Sequence, residues 1–248
     1  MKIACVCITW RRPRLLSQLI ECFNRQTCQD RELLILDDSG QYPSQPSGDR
    51  WRIVSVGQRF RTIGEKRNAA AAMVSPDVAA YAVWDDDDAY LPWALEASVN
   101  ALKASPWVQP RQTLEWDASG TTWHRQETFG RDRPNHIAYH GCWSYLREAF
   151  INVGGYPAAT SEDWELARKL RDRYGNSGDT ICQEFPRPFY AYSRATSGTW
   201  HMSERGATDN AYRQALDEPC EIIERVSIGW DRDYTAIPIP DEVHRRPW

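Results

Sequence analysis

No apolar stretch of about 18 residues runs unbroken through this 248-residue chain, which argues against a membrane-spanning helix. The apolar opening run, residues 3–8, ends at Arg11 and Arg12 without a small-residue cleavage site, so it reads as a strand and not as a signal peptide. A soluble, cytoplasmic protein is expected. Paired CxxC spacing is also missing: the seven cysteines are scattered, which leaves no zinc pattern and makes them reduced core residues. Cys5 and Cys7 fall on one face of the first strand. An excess of basic charge is absent too. A net charge of −4 and a pI near 5.8 give no global electrostatic reason to bind nucleic acid or an anionic membrane. There is no internal repeat and no separate linker. With 42% hydrophobic residues and 12 tryptophans, one full core, and so a single domain over 1–248, is the default.

What is present alternates. Residues 2–8 are β-branched and apolar. Pro13 then stands at a first helical position, with Leu15, Leu16, Leu19, Ile20 and Phe23 at helical spacing. Residues 32–36 form a second strand ending at Asp37-Asp38-Ser39-Gly40, and the Pro/Ser/Gly-rich residues 41–49 a loop. Residues 51–56 read as a strand, 63–74 as an Ala-rich helix, and 78–84 as a nearly all-apolar strand of the kind covered on both faces. A helix over about 92–104 follows. The expectation is a mostly parallel, doubly wound α/β sheet flanked by helices, with ligands beyond the carboxyl ends of its strands.

The second half changes character. Residues 113–116 and 121–125 flank Asp117-Ala118-Ser119-Gly120, a hairpin signal. Gly154-Gly155 marks a turn, 162–174 a charged amphipathic helix ended by Gly175, and about 204 onward a polar helix with a Pro-rich tail over 237–248.

The strand at 78–84 runs straight into Asp85, Asp86, Asp87 and Asp88. Two carboxylates at about 4 Å repel by roughly 4 kcal/mol at an effective dielectric near 20, so such a run calls for a cation. In an extended chain Asp85 and Asp87 would face one side and Asp86 and Asp88 the other, letting one pair meet a hard divalent ion. Mg²⁺ and Mn²⁺ take one or two carboxylates plus substrate phosphates, and a diphosphate leaving group needs that neutralisation. The plainer alternative makes Asp88 a turn cap and leaves the others solvated.

Residues 79–88, Ala-Ala-Tyr-Ala-Val-Trp-Asp-Asp-Asp-Asp, resemble the DxD region of family 2 glycosyltransferases of the GT-A fold. Three further segments agree in the same order. Ile8-Thr9-Trp10-Arg11-Arg12-Pro13 is similar to that family's Pro-Thr-Tyr-Asn-Arg-Pro, and Leu34-Ile35-Leu36-Asp37-Asp38-Ser39 to its Val-Asp-Asp-x-Ser. Asn152-Val153-Gly154-Gly155-Tyr156, with Ser161-Glu162-Asp163-Trp164-Glu165-Leu166, resembles its Val-Gly-Gly-Phe and Glu-Asp-x-x-Leu. Together these span roughly residues 3–202. Ile8, Trp10 and Asp86 depart from the pattern.

The resemblance implies a metal-dependent, inverting transfer of a sugar from a nucleotide diphosphate sugar, UDP-linked by preference, to an acceptor hydroxyl, with Mn²⁺ or Mg²⁺. It implies a nucleotide-sugar-binding half over 1–104, an acceptor half over 105–203 and a C-terminal helix and tail over 204–248. Thr9, Asp37 and Asp38 would hold the nucleoside, Asp85 the ribose and sugar with Asp86 beside it, and Asp87 the metal. Gly64-Glu65-Lys66-Arg67-Asn68 resembles the family's Gly-x-x-Arg-Asn, which puts Arg67 on the donor; a helix-surface charge is the alternative. Asp163 matches the catalytic base with Glu162 next to it, although both would also suit a helix N-terminus through its dipole. His201 would complete the metal site or be structural; His136 and His140 read as non-ligands. Trp143 and Trp164, like Trp116 and Trp123, could offer a sugar a stacking face or belong to the core. The acceptor stays open among glycan, protein and nucleic acid, since Arg125, Arg131, Arg133, Arg245 and Arg246 supply local basic charge. A non-catalytic module binding a nucleotide or glycan is the rival reading, and a metal phosphohydrolase lacks its nucleophilic Asp after the first strand.

Overall fold

A computed structural model describes residues 1–110, 112–116, 123–127, 139–159, 161–176, 189–193 and 222–226. In chain order its principal elements are β1 (Ile3–Thr9), α1 (Pro13–Asn24), β2 (Arg31–Asp37), β3 (Ser47–Gly48), β4 (Trp51–Ser55), α2 (Ile63–Ala72), β5 (Ala80–Val83), β6 (Ala89–Tyr90) and α3 (Ala94–Ala101). There follow β7 (Trp107–Val108), β8 (Gln112–Trp116), β9 (Trp123–Glu127), a 3₁₀ turn (His140–Cys142), β10 (Ser144–Leu146), α4 (Arg147–Asn152), α5 (Glu162–Tyr174), β11 (Tyr190–Ser193) and β12 (Ile222–Val226).

The first sheet has the order β3-β4-β2-β1-β5-β10-β7. Its centre is parallel: β4 on β2, β2 on β1, and β1 on β5. Antiparallel strands close both edges. The expected mostly parallel α/β sheet is therefore present. β2 and β5 are buried along their whole length, and β1 nearly so, as strands covered on both faces must be. Helix α2 packs on β1 and β2, and α3 and α4 on β5. Pro13 opens α1, whose Leu16, Leu19, Ile20 and Phe23 are fully buried along one face.

A second sheet, β12-β9-β8-β11-β6, holds the expected hairpin as the β8–β9 pair, with Trp116 opposite Trp123. Its edge strand β12 lies where a polar helix and tail were expected; that expectation is corrected for residues 222–226. Ile222, Ile223 and Val226 carry the β-branched signal there, and among the described residues the distant β9 is its partner. His136, Cys182, Cys220 and the Pro-rich tail lie outside the described residues. Among the described cysteines, Cys5, Cys7, Cys22 and Cys142 are buried and Cys28 is partly buried. No helix among the described residues is long and apolar enough to cross a membrane.

Candidate active site

The strand order places a switch point between β1 and β5, because β1 has β2 on one side and β5 on the other. Thr9 ends β1, Asp37 ends β2, and the aspartate run begins two residues after β5. These carboxyl ends gather one acidic centre, and the aspartate run is also the link from β5 in the first sheet to β6 in the second.

The four aspartates do not alternate. β5 stops at Val83 and Asp86–Asp87 form a turn, so the two-residue period is lost; this corrects the extended reading. Asp86 and Asp87 are instead bridged by Arg12, whose Nη1 donates to Asp86 Oδ1 at 2.8 Å and Asp87 Oδ2 at 3.0 Å. Thr9 Oγ1 donates to Asp86 Oδ2 at 2.6 Å. Burial and then the charge of Asp87 push the Asp86 carboxyl up, against the pull of Arg12 and Thr9. Asp85 and Asp88 turn toward Gly141. A Cβ there would sit 2.9 Å from Asp88 Oδ2, 3.0 Å from Asp85 Oδ2 and 2.8 Å from the Tyr190 hydroxyl, so any larger residue would force these side-chain ends to shift. Tyr190 donates to Asp88 Oδ2 at 2.5 Å, while the Tyr90 hydroxyl accepts from the Asp85 N–H and donates to the Gly141 carbonyl.

Helix α2 supplies the cations. Thr62 caps it, its hydroxyl accepting from the Glu65 N–H. Successive helical residues diverge by about 100°, so Lys66 and Arg67 serve different strands. Lys66 Nζ donates to Asp38 Oδ1 at 2.6 Å and to the Thr9 carbonyl, tying the ends of β1 and β2. Burial lowers the Lys66 pKa, with Asp38 opposing. Arg67 donates from Nη1 and Nη2 to Asp85 Oδ1, both at 3.2 Å, and its Nε lies 3.6 Å from Glu162 Oε1. Burial works against the Arg67 charge, but Asp85, Tyr156 and Glu162 outweigh it and raise the pKa. Asn68 clamps the backbone of Tyr156, donating to its carbonyl at 2.8 Å and accepting from its N–H at 2.9 Å. Gly64 and Gly155 permit that approach: a Cβ would fall 2.1 Å from the Pro157 carbonyl oxygen at Gly64, and 2.6 Å from Asn68 Oδ1 at Gly155. Gly155 also has φ +64°.

Asp37 is fully buried and its oxygens accept from Ser39 N and Oγ, Gln41 N and Ser55 Oγ. That fills the usual capacity of a carboxylate, so Asp37 builds the loop rather than reaching out of it. Asp38 is also held by Arg59 and by the Phe60 N–H. Glu162, at the start of α5, is buried; burial raises its pKa, with Arg67 opposing. Asp163 is half-buried and accepts from the Trp164 N–H at 2.7 Å. Trp164 is 57% exposed. Trp143, expected at the acceptor, is 1% exposed and packs edge-on against Trp107 and His140, which makes it a core residue. His140 is partly buried and hydrogen-bonded to the Tyr156 hydroxyl, and desolvation, with the Arg67 charge, pushes its pKa down. His201 lies outside the described residues.

Sequence reasoning alone misses Arg12, Lys66, Asn68, Gly141 and Tyr190 as site residues, although the first three lie inside the family-like motifs. Among the described residues no three His, Cys, Asp or Glu side chains are arranged to hold a metal ion. Mg²⁺ or Mn²⁺ still fits: it needs only one or two carboxylates with phosphate and water making up the rest. The guanidinium across Asp86 and Asp87 shows that these oxygens accept a cation.

The fold is of the GT-A kind, a mixed α/β architecture around a large, mostly parallel sheet. Among solved structures, S. aureus TarS 1–349 in complex with UDP-GlcNAc matches with a TM-score of 0.61 at 13% identity, over 82% of this chain and 61% of that one. The same protein in complex with UDP gives 0.59 at 12%, over 79% and 61%. The mannosyltransferase PcManGT from Pyrobaculum calidifontis, in complex with GDP-Man and Mn²⁺, gives 0.58 at 16%, over 82% and 59%. The chain thus spans about three fifths of the length of those structures. No protein-family model and no curated protein matches it in sequence.

Proposed function

We propose that the protein is a metal-dependent, inverting glycosyltransferase of family 2 type, moving a sugar from a nucleotide diphosphate sugar, UDP-linked by preference, to an acceptor hydroxyl. The observation that carries this reading is the convergence of Thr9, Asp38 and Asp85 to Asp88 at the ends of β1, β2 and β5, beside Lys66, Arg67 and Arg12. GT-A neighbours in complex with UDP-GlcNAc and with GDP-Man and Mn²⁺ support it. In this reading residues 1–104 bind the donor, 105–203 the acceptor, and 204–248 form a C-terminal extension.

Asp38 and the loop built by Asp37 face the nucleoside, with Thr9 and Asp86 fixing the end of β1. Asp85, steered by Arg67, faces the ribose and sugar, and Asp87 holds Mn²⁺ or Mg²⁺, with His201 as a further candidate ligand. The bound ion supplies charge neutralisation of the departing diphosphate. Asp163 accepts the acceptor's hydroxyl proton as that oxygen attacks the anomeric carbon from the face opposite the diphosphate. Glu162 holds Arg67 in place, and the exposed ring of Trp164 offers the acceptor a stacking face.

The test is Asp163→Asn, assayed with Mn²⁺ and a panel of nucleotide sugars. It should keep donor-dependent thermal stabilisation and lose transfer. Unchanged turnover would remove the base assignment, and donor stabilisation without hydrolysis or transfer by the unsubstituted protein would favour a non-catalytic binding module.

A further inference from the structure

We infer that Arg12 is a resident cation at the metal-binding edge of the aspartate run, released when metal and nucleotide arrive together; this rests on the metal-dependent reading above. One nitrogen, Nη1, contacts Asp86 Oδ1 at 2.8 Å and Asp87 Oδ2 at 3.0 Å, while the other Asp86 oxygen is taken by Thr9. The carboxylates are the fixed members of this triad: the Asp86 and Asp87 side chains are 4% and 6% exposed, against 19% for Arg12. Arg12 stands at the N-cap of α1 without a capping hydrogen bond, and Arg11 before it has φ 54°, a left-handed conformation uncommon outside glycine. The guanidinium therefore comes from a long side chain on a strained loop, and it is the member able to move.

A guanidinium supplies one positive charge to two carboxylates. A divalent ion on Asp87 supplies two, at the same oxygens, and the two cations repel. Metal alone must therefore displace Arg12 from Asp87 and leave it only its contact with Asp86. A nucleoside diphosphate changes that balance, because its phosphate oxygens are good partners for a freed guanidinium. Metal and nucleotide then bind cooperatively, each raising the affinity of the other by the same factor. Arg12 is a positioning residue here: it couples metal binding to nucleotide binding.

The experiment measures Mn²⁺ binding by electron paramagnetic resonance for the unsubstituted protein, Arg12→Gln and Arg12→Lys, first alone and then with UDP or GDP. Arg12→Gln should bind Mn²⁺ alone on the order of tenfold more tightly, and the gain in Mn²⁺ affinity on adding nucleotide should shrink. Arg12→Lys, which keeps the charge, should stay close to the unsubstituted protein. Equal or weaker Mn²⁺ binding by folded Arg12→Gln overturns the inference and leaves metal dependence standing. No Mn²⁺ binding by any of the three, with or without nucleotide, overturns both. Should Arg12→Gln not fold, the NMR signal of the Arg12 side chain in the unsubstituted protein decides: it should shift on adding Mg²⁺ with nucleotide, and an unmoved signal at saturation refutes release.

Discussion

Replacing Arg67 with methionine should destabilise the protein by about 3 kcal/mol at neutral pH. The methionine keeps most of the aliphatic stem, so the loss falls on charge. Arg67, Asp85 and Glu162 have side chains 12%, 22% and 9% exposed, so three charges share a largely dry site. At 3.2 Å the attraction to Asp85 is roughly 5 kcal/mol at an effective dielectric of 20. Relief of the guanidinium's own desolvation returns part of this. Removing one partner of a buried pair commonly costs about 3–5 kcal/mol, and the residual exposure of Asp85 places the value at the lower end. Urea unfolding with an unchanged m-value is the assay. Its pH dependence supplies the sign. Burial raises the Glu162 pKa and Arg67 opposes it, so the variant raises it further. A raised carboxyl pKa in the folded state favours stability at low pH, lost as pH rises through that value. The gap between the two proteins should therefore narrow on acidification. A loss under about 1 kcal/mol, or a gap that widens as pH falls, would refute the assignment of Arg67 as the counter-ion of both carboxylates.

Gly64→Ala puts a Cβ 2.1 Å from the Pro157 carbonyl oxygen, backbone that cannot swing aside, and should cost about 3 kcal/mol in chemical unfolding; a neutral result would mean that α2 does not make this approach. Asn68→Ala orphans the N–H and C=O of Tyr156 and should cost about 2 kcal/mol by the same measurement, with less than about 0.5 kcal/mol counting against the clamp. Gly141→Ala crowds Asp85 and Asp88 and should weaken Mn²⁺-dependent nucleotide binding on the order of tenfold in calorimetry; unaltered binding would separate that contact from the donor site. Asp86, pushed up by burial and by Asp87 to about 6, should make the stability difference between the unsubstituted protein and Asp86→Asn move in favour of the former as pH falls from 7 toward 4. A flat difference would show that Asp86 titrates as an ordinary surface carboxylate.

Long, strongly patterned elements are legible in the sequence itself. The buried strands β1, β2 and β5 carry apolar runs, and α1 repeats Leu16, Leu19, Ile20 and Phe23 after Pro13. Two-to-five-residue strands such as β6, β7, β10, β11 and β12 are not, since each exists only because a strand far away in sequence pairs with it. The candidate site divides in the same way. Gly64 to Asn68 is visible as a motif, but that its five residues serve as close approach, cap partner, β-end tie, counter-ion and clamp depends on which strand each one faces. Arg12 meets Asp86 and Asp87 from 74 and 75 residues away, a separation no local pattern encodes. The alternation expected of the aspartates fails because β5 ends at Val83, one residue short of the apolar run, and the period of two ends with the strand.

The charge arrangement gives a physical reason for the unequal roles of the aspartates. Asp38, Asp85, Asp86, Asp87 and Glu162 each have a cationic partner, drawn from Arg12, Arg59, Lys66 and Arg67, whereas the fully buried Asp37 is held by neutral hydroxyl and N–H donors. Lys66 and Arg67 come from one helix, capped at Thr62, and their side chains are more enclosed than that of Arg12. Asp38 and Asp85 are thus fixed hydrogen-bonding positions, suited to recognising a ligand that stays where it is put. Arg12 comes from a loop, so Asp86 and Asp87 are the carboxylates whose shared counter-ion can be exchanged. On the proposed reading, a site that admits and releases a diphosphate with its metal needs at least one exchangeable charge among several fixed ones, and here that charge is Arg12, whose carboxylate partners lie on the turn between the two sheets.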